Sequence, residues 1–425
     1  MRYKGLRSLP AVGAAPIAID FGAGGLKALQ ISGHDTRKLV AASFLPTPDD
    51  LVEDAAGRLR FQIEQLPKLI RKGGFTTKRA VCLIPASQMF CKHMQIQLSE
   101  GVEMASMLKA LLPAQVGCEY ESLVCRSVEV PGGARGGKSE VICMAASRDL
   151  VGRLMAAMKS AHLEPVGVHG PFQAVLRAFD DVNRREEDAG KTTLYLDLGY
   201  ASTNVMIAHG TQLVFARTVD LGGLHMDVAI MKQAHVGMTE ARALRRQVVL
   251  ERAGSSEPAA EGGDGLALLH AAIARSKKVE ASAEDSQDKS TEEAVVAVDD
   301  RRGAGATPGM SADVQPATTG LRYPQGVDLS EALEILADEV CMSLRYHKSM
   351  FGGRNVEHAV LVGGESRQAW LCQQLARTLR IPVQVGDPIS RLSKTGSEPI
   401  AGVEFGKAQP GWTAALGMCL SPTDL

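Results

Sequence analysis

Aromatic residues are scarce in this chain, at 4% of 425 residues with only two tryptophans. Hydrophobic residues still reach 45%, an ordinary share for a globular protein. The cores must therefore be built mainly from Ala, Val, Leu, Ile and Met. No Cys-x-x-Cys pair occurs among the eight cysteines, Cys82, Cys91, Cys118, Cys125, Cys143, Cys341, Cys372 and Cys419. That removes the usual spacing of a zinc site and leaves small buried hydrophobes in a reducing compartment as the simple reading. Neither sign of charge prevails, since 47 basic residues face 48 acidic ones. With no run of Lys and Arg either, a nucleic-acid partner is not expected. No uninterrupted apolar run is long enough to span a bilayer. Arg2, Lys4 and Arg7 are not followed by an apolar core of signal-peptide length. A soluble chain is expected, one that meets a membrane only through a partner.

A chain of this length favours more than one domain. Two stretches repeat one pattern. Ile17-Ala-Ile-Asp20-Phe-Gly22-Ala23-Gly24-Gly25-Leu-Lys27 is the first, and Leu194-Tyr-Leu-Asp197-Leu-Gly199-Tyr-Ala-Ser202-Thr203-Asn204 is the second. Each reads as an apolar strand ending in Asp-x-Gly, a turn of small residues, and a second apolar strand. Between and after them the spacing predicts helices over 53–72, 102–112 (ended by Pro113), 150–161 (capped by Asp149), 239–252 and 328–351, alternating with short apolar strands. Helical crossovers of this kind imply parallel strand pairing, so the fold class is α/β. The expected organisation is a first lobe over 16–89 and 147–190, with a small α+β subdomain inserted at 90–146. A second lobe covers 191–253 and 327–425, interrupted at 254–326 by an Ala-, Gly-, Ser- and acid-rich segment read as a disordered insertion. Within it, 266–273 has the composition of a short helix.

The repeated device suits a phosphorylated ligand and a metal ion. Magnesium takes oxygen ligands and keeps several waters, so strand-end carboxylates such as Asp20 and Asp197 fit it. Gly22, Gly24 and Gly25 lack β-carbons and let backbone N–H groups approach phosphate oxygens, and Lys27 adds a point charge. In the second copy Gly199 repeats the turn, and the Ser202 and Thr203 hydroxyls either meet a terminal phosphate or simply favour the strand. A third turn, Val362-Gly363-Gly364-Glu365-Ser366-Arg367, can let a flat base lie on its backbone while Arg367 stacks on the ring. The alternative is an ordinary strand-to-helix turn capped by Ser366.

In this order the three elements resemble the phosphate-one, phosphate-two and adenosine motifs of the actin, Hsp70 and sugar kinase superfamily. Within it the chain is most similar to the PilM family of type IV pilus assembly proteins. Asp20 to Lys27, the module from about Phe90 to Ala145, the pattern from Val141 to Pro165, the helix from Leu336 to Tyr346 and the ending Gly411-Trp412-Thr-Ala-Ala415-Leu416-Gly417 carry that resemblance. It implies a two-lobed actin-like ATPase fold with ribonuclease H-like halves. The ligand would be ATP with Mg2+, held by Asp20 and Asp197 as metal ligands and by Gly22, Ala23, Gly24, Gly25, Lys27, Gly199, Ser202, Thr203, Gly222, Gly223, Glu240, Gly363, Gly364, Ser366 and Arg367 around the nucleotide. It also implies a cytoplasmic scaffold at the inner membrane. Its partner would be the cytoplasmic N-terminal tail of a PilN-like membrane protein, with pilus assembly ATPases as further partners. Self-association into a homo-oligomer stays open, as does a type II secretion context. An FtsA-like division protein is the nearest rival, and a sugar or small-molecule kinase is the rival from another class. The chain departs from the family where Ala23-Gly24-Gly25 lacks a serine and where 112–118 lacks the family's usual acidic pattern. No residue is assigned to position an attacking water, Glu164 and Gln173 being in unpersuasive contexts, so binding with at most slow hydrolysis is expected.

Overall fold

The computed structural model describes residues 15–33, 37–97, 103–131, 138–182, 188, 190–250 and 321–423. The chain opens with strands β1 (Ile17–Gly22), β2 (Gly25–Ser32) and β3 (Lys38–Pro46), helix α1 (Ala55–Lys72) and β4 (Arg79–Leu83). Then come β5 (Met89–Gln97), α2 (Met104–Val116), β6 (Leu123–Glu129) and β7 (Lys138–Ser147). Helix α3 (Arg148–Ser160), β8 (Glu164–His169) and α4 (Pro171–Arg177) lead to β9 (Thr192–Leu198), β10 (Thr203–His209), β11 (Gln212–Val219), α5 (Gly223–Ala234) and α6 (Met238–Arg246). The chain divides into two units, the smaller spanning positions 248–322, of which only 248–250 and 321–322 are described. The smaller unit's described part is a two-stranded antiparallel ladder of β12 (Val249–Leu250) and β13 (Leu321–Arg322). The main unit resumes with α7 (Ser330–Met350), β14 (His358–Val362), α8 (Ala369–Leu379), β15 (Val383–Val385), β16 (Ile400–Ala401) and α9 (Thr413–Cys419).

Two sheets within the main unit share one plan. The first runs β16-β3-β2-β1-β4-β8 and the second β11-β10-β9-β14-β15. In each, three antiparallel strands are extended by parallel strands that arrive through helices, β4 and β8 beside β1, and β14 and β15 beside β9. The plan places the two acids at equivalent ladder positions, Asp20 opposite Lys27 and Asp197 opposite Asn204. Strands β1 and β9 lie inside their sheets and are buried along nearly their whole length, which is why they read as apolar runs with a single acid at the end.

Helix α1 is fixed at its start by the Asp54 carboxylate, which accepts from the Ala56 and Gly57 N–H groups, and Arg71 and Lys72 complement its C-terminal dipole. Its buried Gln62 donates to the Gly22 carbonyl at 2.8 Å, so the helix buttresses the first turn. Helix α9 crosses α4 so closely that a β-carbon at Gly417 would overlap the Ala174 carbonyl oxygen. Gly417→Ala is accordingly expected to cost about 3 kcal/mol or more of stability through backbone displacement, read from urea unfolding against Gly152→Ala, a helical glycine with open space around it.

Strands β5, β7 and β6 form their own sheet in that order, closed on one face by α2 over Ile96, Leu108, Leu112, Leu123, Val141, Cys143 and Ala145. The chain enters this sheet after β4 and leaves it into α3, yet its polar bonds reach β11 and α7. The Ala216 N–H donates to His93 Nε2 at 3.1 Å, the Cys91 thiol to the Ala216 carbonyl at 3.4 Å, and the Tyr346 hydroxyl to Glu140 Oε1 at 2.9 Å. Burial pushes the Glu140 carboxyl up, but hydrogen bonds from His93, Tyr346 and Gln95 outweigh it and hold the group below its ordinary value. The ionised form is favoured on folding. That stabilisation is present above the unfolded carboxylate value of about 4.3 and is lost as pH falls through the lower folded value. Glu140→Gln should therefore lower stability at neutral pH and flatten the acid limb, as read from urea midpoints at pH 7 and pH 3.

Several sequence expectations shift. Helix α2 does not stop before Pro113 but runs through it to Val116. It ends at Gly117, whose φ of 78° supplies the left-handed residue that closes a helix. Ser147, not Asp149, occupies the cap position of α3. Asp149 lies inside the first turn and pairs with Arg153 at 2.9 Å. Helix α6 ends at Arg246 rather than 252. Residues 321–326, placed with the insertion from sequence, form β13 and a 3-10 turn at Pro324–Gly326. Most of the expected insertion, including the 266–273 segment, lies outside the described residues.

Candidate functional site

Asp20 and Asp197 each lie two residues before the first glycine of their turns, Gly22 and Gly199. Asp20 is buried and accepts from Lys27 Nζ at 2.9 Å. The Asn204 amide donates to Asp197 Oδ2 at 3.0 Å, and the Thr218 hydroxyl donates to Asn204 Oδ1 at 3.0 Å. This short relay holds the second carboxylate in one orientation. Burial raises the Asp197 carboxyl above its ordinary value. The Asn204 amide and Lys27 oppose the rise, and the like charge of Asp20 adds to it. Two acids that feel each other's charge and share one tethered ammonium form a site short of positive charge.

The first turn is tied back by its carbonyls: Gln62 donates to Gly22, the Thr47 hydroxyl to Ala23 at 2.9 Å and the Thr47 N–H to Gly24 at 3.2 Å. In the second turn Gly199 N–H donates to the Ser202 carbonyl, while the N–H groups of Gly223 and Leu224 donate to the carbonyls of Gly199 and Tyr200. The start of α5 thus lies directly against this turn. Gly222 must be glycine there, because a β-carbon would sit 2.5 Å from the Gly199 carbonyl oxygen. The two turns also meet each other: a β-carbon on Gly24 would stand 3.7 Å from Tyr200 Cβ.

Gly363 is the hinge of the third turn. Its φ is +91°, and a β-carbon on it would stand 2.6 Å from Asp197 Oδ1, so this turn is packed against the second carboxylate itself. Ser366 is buried and donates to the Gly363 carbonyl at 2.7 Å. The residue in the cap position of α8 is Gln368, so Ser366 closes the turn rather than the helix. Thr203 likewise spends its hydroxyl on the Leu221 carbonyl at 2.8 Å, the strand-stabilising one of its two expected roles, while Ser202 is buried beside it.

The structure therefore brings together Asp20, Gly22, Ala23, Gly24, Gly25, Lys27, Asp197, Gly199, Ser202, Thr203, Gly222, Gly223 and Gly363. Gly364 follows on the exposed side of the third turn, and Glu240 and Arg367 are also exposed. A network that sequence reading did not assemble lies behind the turns. Arg245 on α6 bonds Asp227 on α5 at 2.6 Å and also bonds Glu365 of the third turn. The Tyr200 hydroxyl donates to Asp227 at 2.9 Å and accepts from Arg242 at 2.8 Å. The available signal was Asp227 itself, a lone acid within the apolar run Met226-Asp-Val-Ala-Ile230. A buried acid requires a cation, and Arg242 and Arg245, three apart on one face of the following helix, supply it.

Two sheets of matched plan, each carrying an acid beside a glycine turn, the turns in contact with each other, define an actin-like ATPase fold. The family model described as type IV pilus assembly protein PilM matches residues 18–254, more than half of the chain. The chain belongs to this family. Among solved structures it is similar to a PilM–PilN type IV pilus biogenesis complex at 17% identity, covering 98% of this chain and 100% of that one with a TM-score of 0.66. It also matches the MreB5 protein of Spiroplasma citri bound to ADP at 10% identity, covering 97% and 96% with a TM-score of 0.45. A third match is the ethanolamine utilization protein EutJ of Carboxydothermus hydrogenoformans at 12% identity, covering 98% and 92% with a TM-score of 0.42. No curated protein gives a significant match.

Proposed function

We propose that this PilM-family protein is an ATP- and magnesium-binding cytoplasmic scaffold of a type IV pilus assembly platform. The observation that carries the nucleotide reading is the pair Asp20 and Asp197, close enough to feel each other's charge, with three glycine-containing turns beside them. Among the described residues no group of three or more His, Cys, Asp or Glu can hold a metal ion by itself. Two carboxylates suit magnesium, which takes one or two protein oxygens and completes its shell with waters and phosphate. Asp20 and Asp197 would hold that ion. The backbone of 22–25 and 199–203 would cradle phosphates, Lys27 would add a charge, and Gly363 and Gly364 would leave room for the base. The bound ion would neutralise phosphate charge. Hydrolysis is expected to be slow at most. The Gln173 amide is turned onto Met144 Sδ at 3.5 Å, and Glu164 is exposed at the start of β8, so neither faces the carboxylate pair as a water-positioning group.

The partner reading rests on the family and on the similar PilM–PilN complex. No helix among the described residues is long and apolar enough to cross a membrane, so recruitment to the inner membrane through a PilN-like protein fits. The test is retention of a detergent-solubilised PilN-like protein on the immobilised chain, compared with a form lacking its cytoplasmic N-terminal segment. Retention of the first and loss of the second is expected; equal behaviour of both would remove the tail as the docking element.

A further inference from the structure

Tyr200 stands at the crown of the second turn, yet its side chain takes no part in the carboxylate pair. Its hydroxyl is fully used, donating to Asp227 and accepting from Nη2 of Arg242 at 2.8 Å and from Nε at 3.2 Å. The Arg242 guanidinium carbon lies 4.9 Å from the centre of the Tyr200 ring, a cation over an aromatic face. The remaining terminal nitrogen of Arg242 reaches the carboxylate of Asp49, and the Thr239 hydroxyl donates to that same carboxylate. Asp49 begins the 3-10 turn Asp49–Leu51 that follows β3 in the first lobe. Helix α6 of the second lobe thus holds an acid of the first lobe with two side chains. The bonds run without a break from Glu365 through Arg245, Asp227, Tyr200 and Arg242 to Asp49, from the third turn through the second to the opposite lobe.

The joints of this chain are unequal. Arg245 and Asp227 are 5% and 0% exposed, whereas Arg242 and Asp49 are 22% and 39% exposed. A half-solvated ion pair is weak and exchanges with water, while a buried one does not open without large cost. If any joint opens, it is the outer one. We propose that Asp49, Thr239 and Arg242 form a reversible clasp between the lobes and that Tyr200 couples the clasp to the second turn. The coupling to ligand rests on the nucleotide reading above; the clasp does not. A ligand that orders the second turn would hold the Tyr200 ring beneath Arg242 and so favour the clasped form, by its differential affinity for the two states.

Hydrogen exchange of the full chain tests both parts. Without nucleotide, Asp49→Ala should speed exchange of the 49–51 amides and the first turn of α6 at least threefold and leave β9 and β10 unchanged. No change at those segments would overturn the clasp. With ATP and magnesium, the wild-type segments should slow at least threefold. In Tyr200→Phe, which keeps the ring and loses the hydroxyl, that slowing should vanish. Equal slowing in both would overturn the coupling while keeping the clasp. If calorimetry shows that ATP does not bind, the nucleotide reading and the coupling fall together, and the nucleotide-free arm still decides the clasp.

Discussion

Arg245→Ala is expected to cost about 3–5 kcal/mol of folding stability, the range for removing one partner of a buried ion pair. Arg245 bonds Asp227 and Glu365 together, and Asp227 is fully buried. Burial alone would lower the Arg245 guanidinium value, but the charges and hydrogen bonds of Glu365 and Asp227 raise it well above normal. Truncation would leave two acids near one another, with Arg242 Nε at 3.4 Å from Asp227 as the residual cation. Most of the cost is that stranded charge rather than the worth of the pair. The double variant Arg245→Met with Asp227→Leu should therefore recover much of the loss, because a buried pair replaced by apolar groups is often nearly neutral. The exposed neighbour Arg246→Ala should stay within about 0.5 kcal/mol. Urea midpoints of the four proteins measure this. An Arg245→Ala midpoint as high as that of Arg246→Ala would mean that the triad does not tie the third turn to α5 and α6.

Gly363→Ala should damage stability and ligand binding together. A residue with a β-carbon at Gly363's φ of +91° and ψ of 168°, a region essentially reserved to glycine, costs about 1–3 kcal/mol. Here the added carbon also meets the Leu198 carbonyl oxygen and Asp197 Oδ1, which adds about 1–3 kcal/mol of overpacking. Of these contacts the soft one is the Asp197 side chain, whose displacement breaks its bond from Asn204. ATP affinity should drop on the order of tenfold or more, which is about 1.4 kcal/mol per tenfold. Gly364→Ala, where a β-carbon meets nothing within 4 Å, is the control. Thermal unfolding and nucleotide titration of both variants read the two effects separately.

Much of this site could be read from the chain because its carriers are local. An apolar run ending in Asp-x-Gly, small residues and a second apolar run define a hairpin wherever they occur, and two copies at matched positions produced the two equivalent ladders. Helix α1 was marked by its apolar spacing, although its cap, Asp54, lies one residue beyond the expected start. What escaped depends on residues distant in sequence. Tyr200, Asp227, Arg242 and Glu365 have no common period, and although the spacing Ala241, Leu244, Arg245, Val248 puts Arg245 on the buried face of α6, nothing local names its partners. The same holds for the subdomain. Its strands were visible, but its attachment to β11 and α7 rests on His93, Glu140 and Tyr346, the last two being 206 positions apart. Pro113 misled because a proline forbids only the donor it lacks and the space its ring needs, and α2 accommodates both before Gly117 ends it. Thr203 showed the opposite ambiguity, since a hydroxyl beside a glycine turn serves the backbone as readily as a phosphate.

The central claim is that Asp20 and Asp197 together hold a magnesium nucleotide. Isothermal titration of the full chain with ATP in the presence of magnesium tests it directly, with Asp197→Ala as the control, its folding checked by circular dichroism. The expected result is a saturable single-site heat in the wild type that weakens on removing magnesium and disappears in Asp197→Ala. Absence of heat in the wild type, or an unchanged isotherm in the variant, would contradict it.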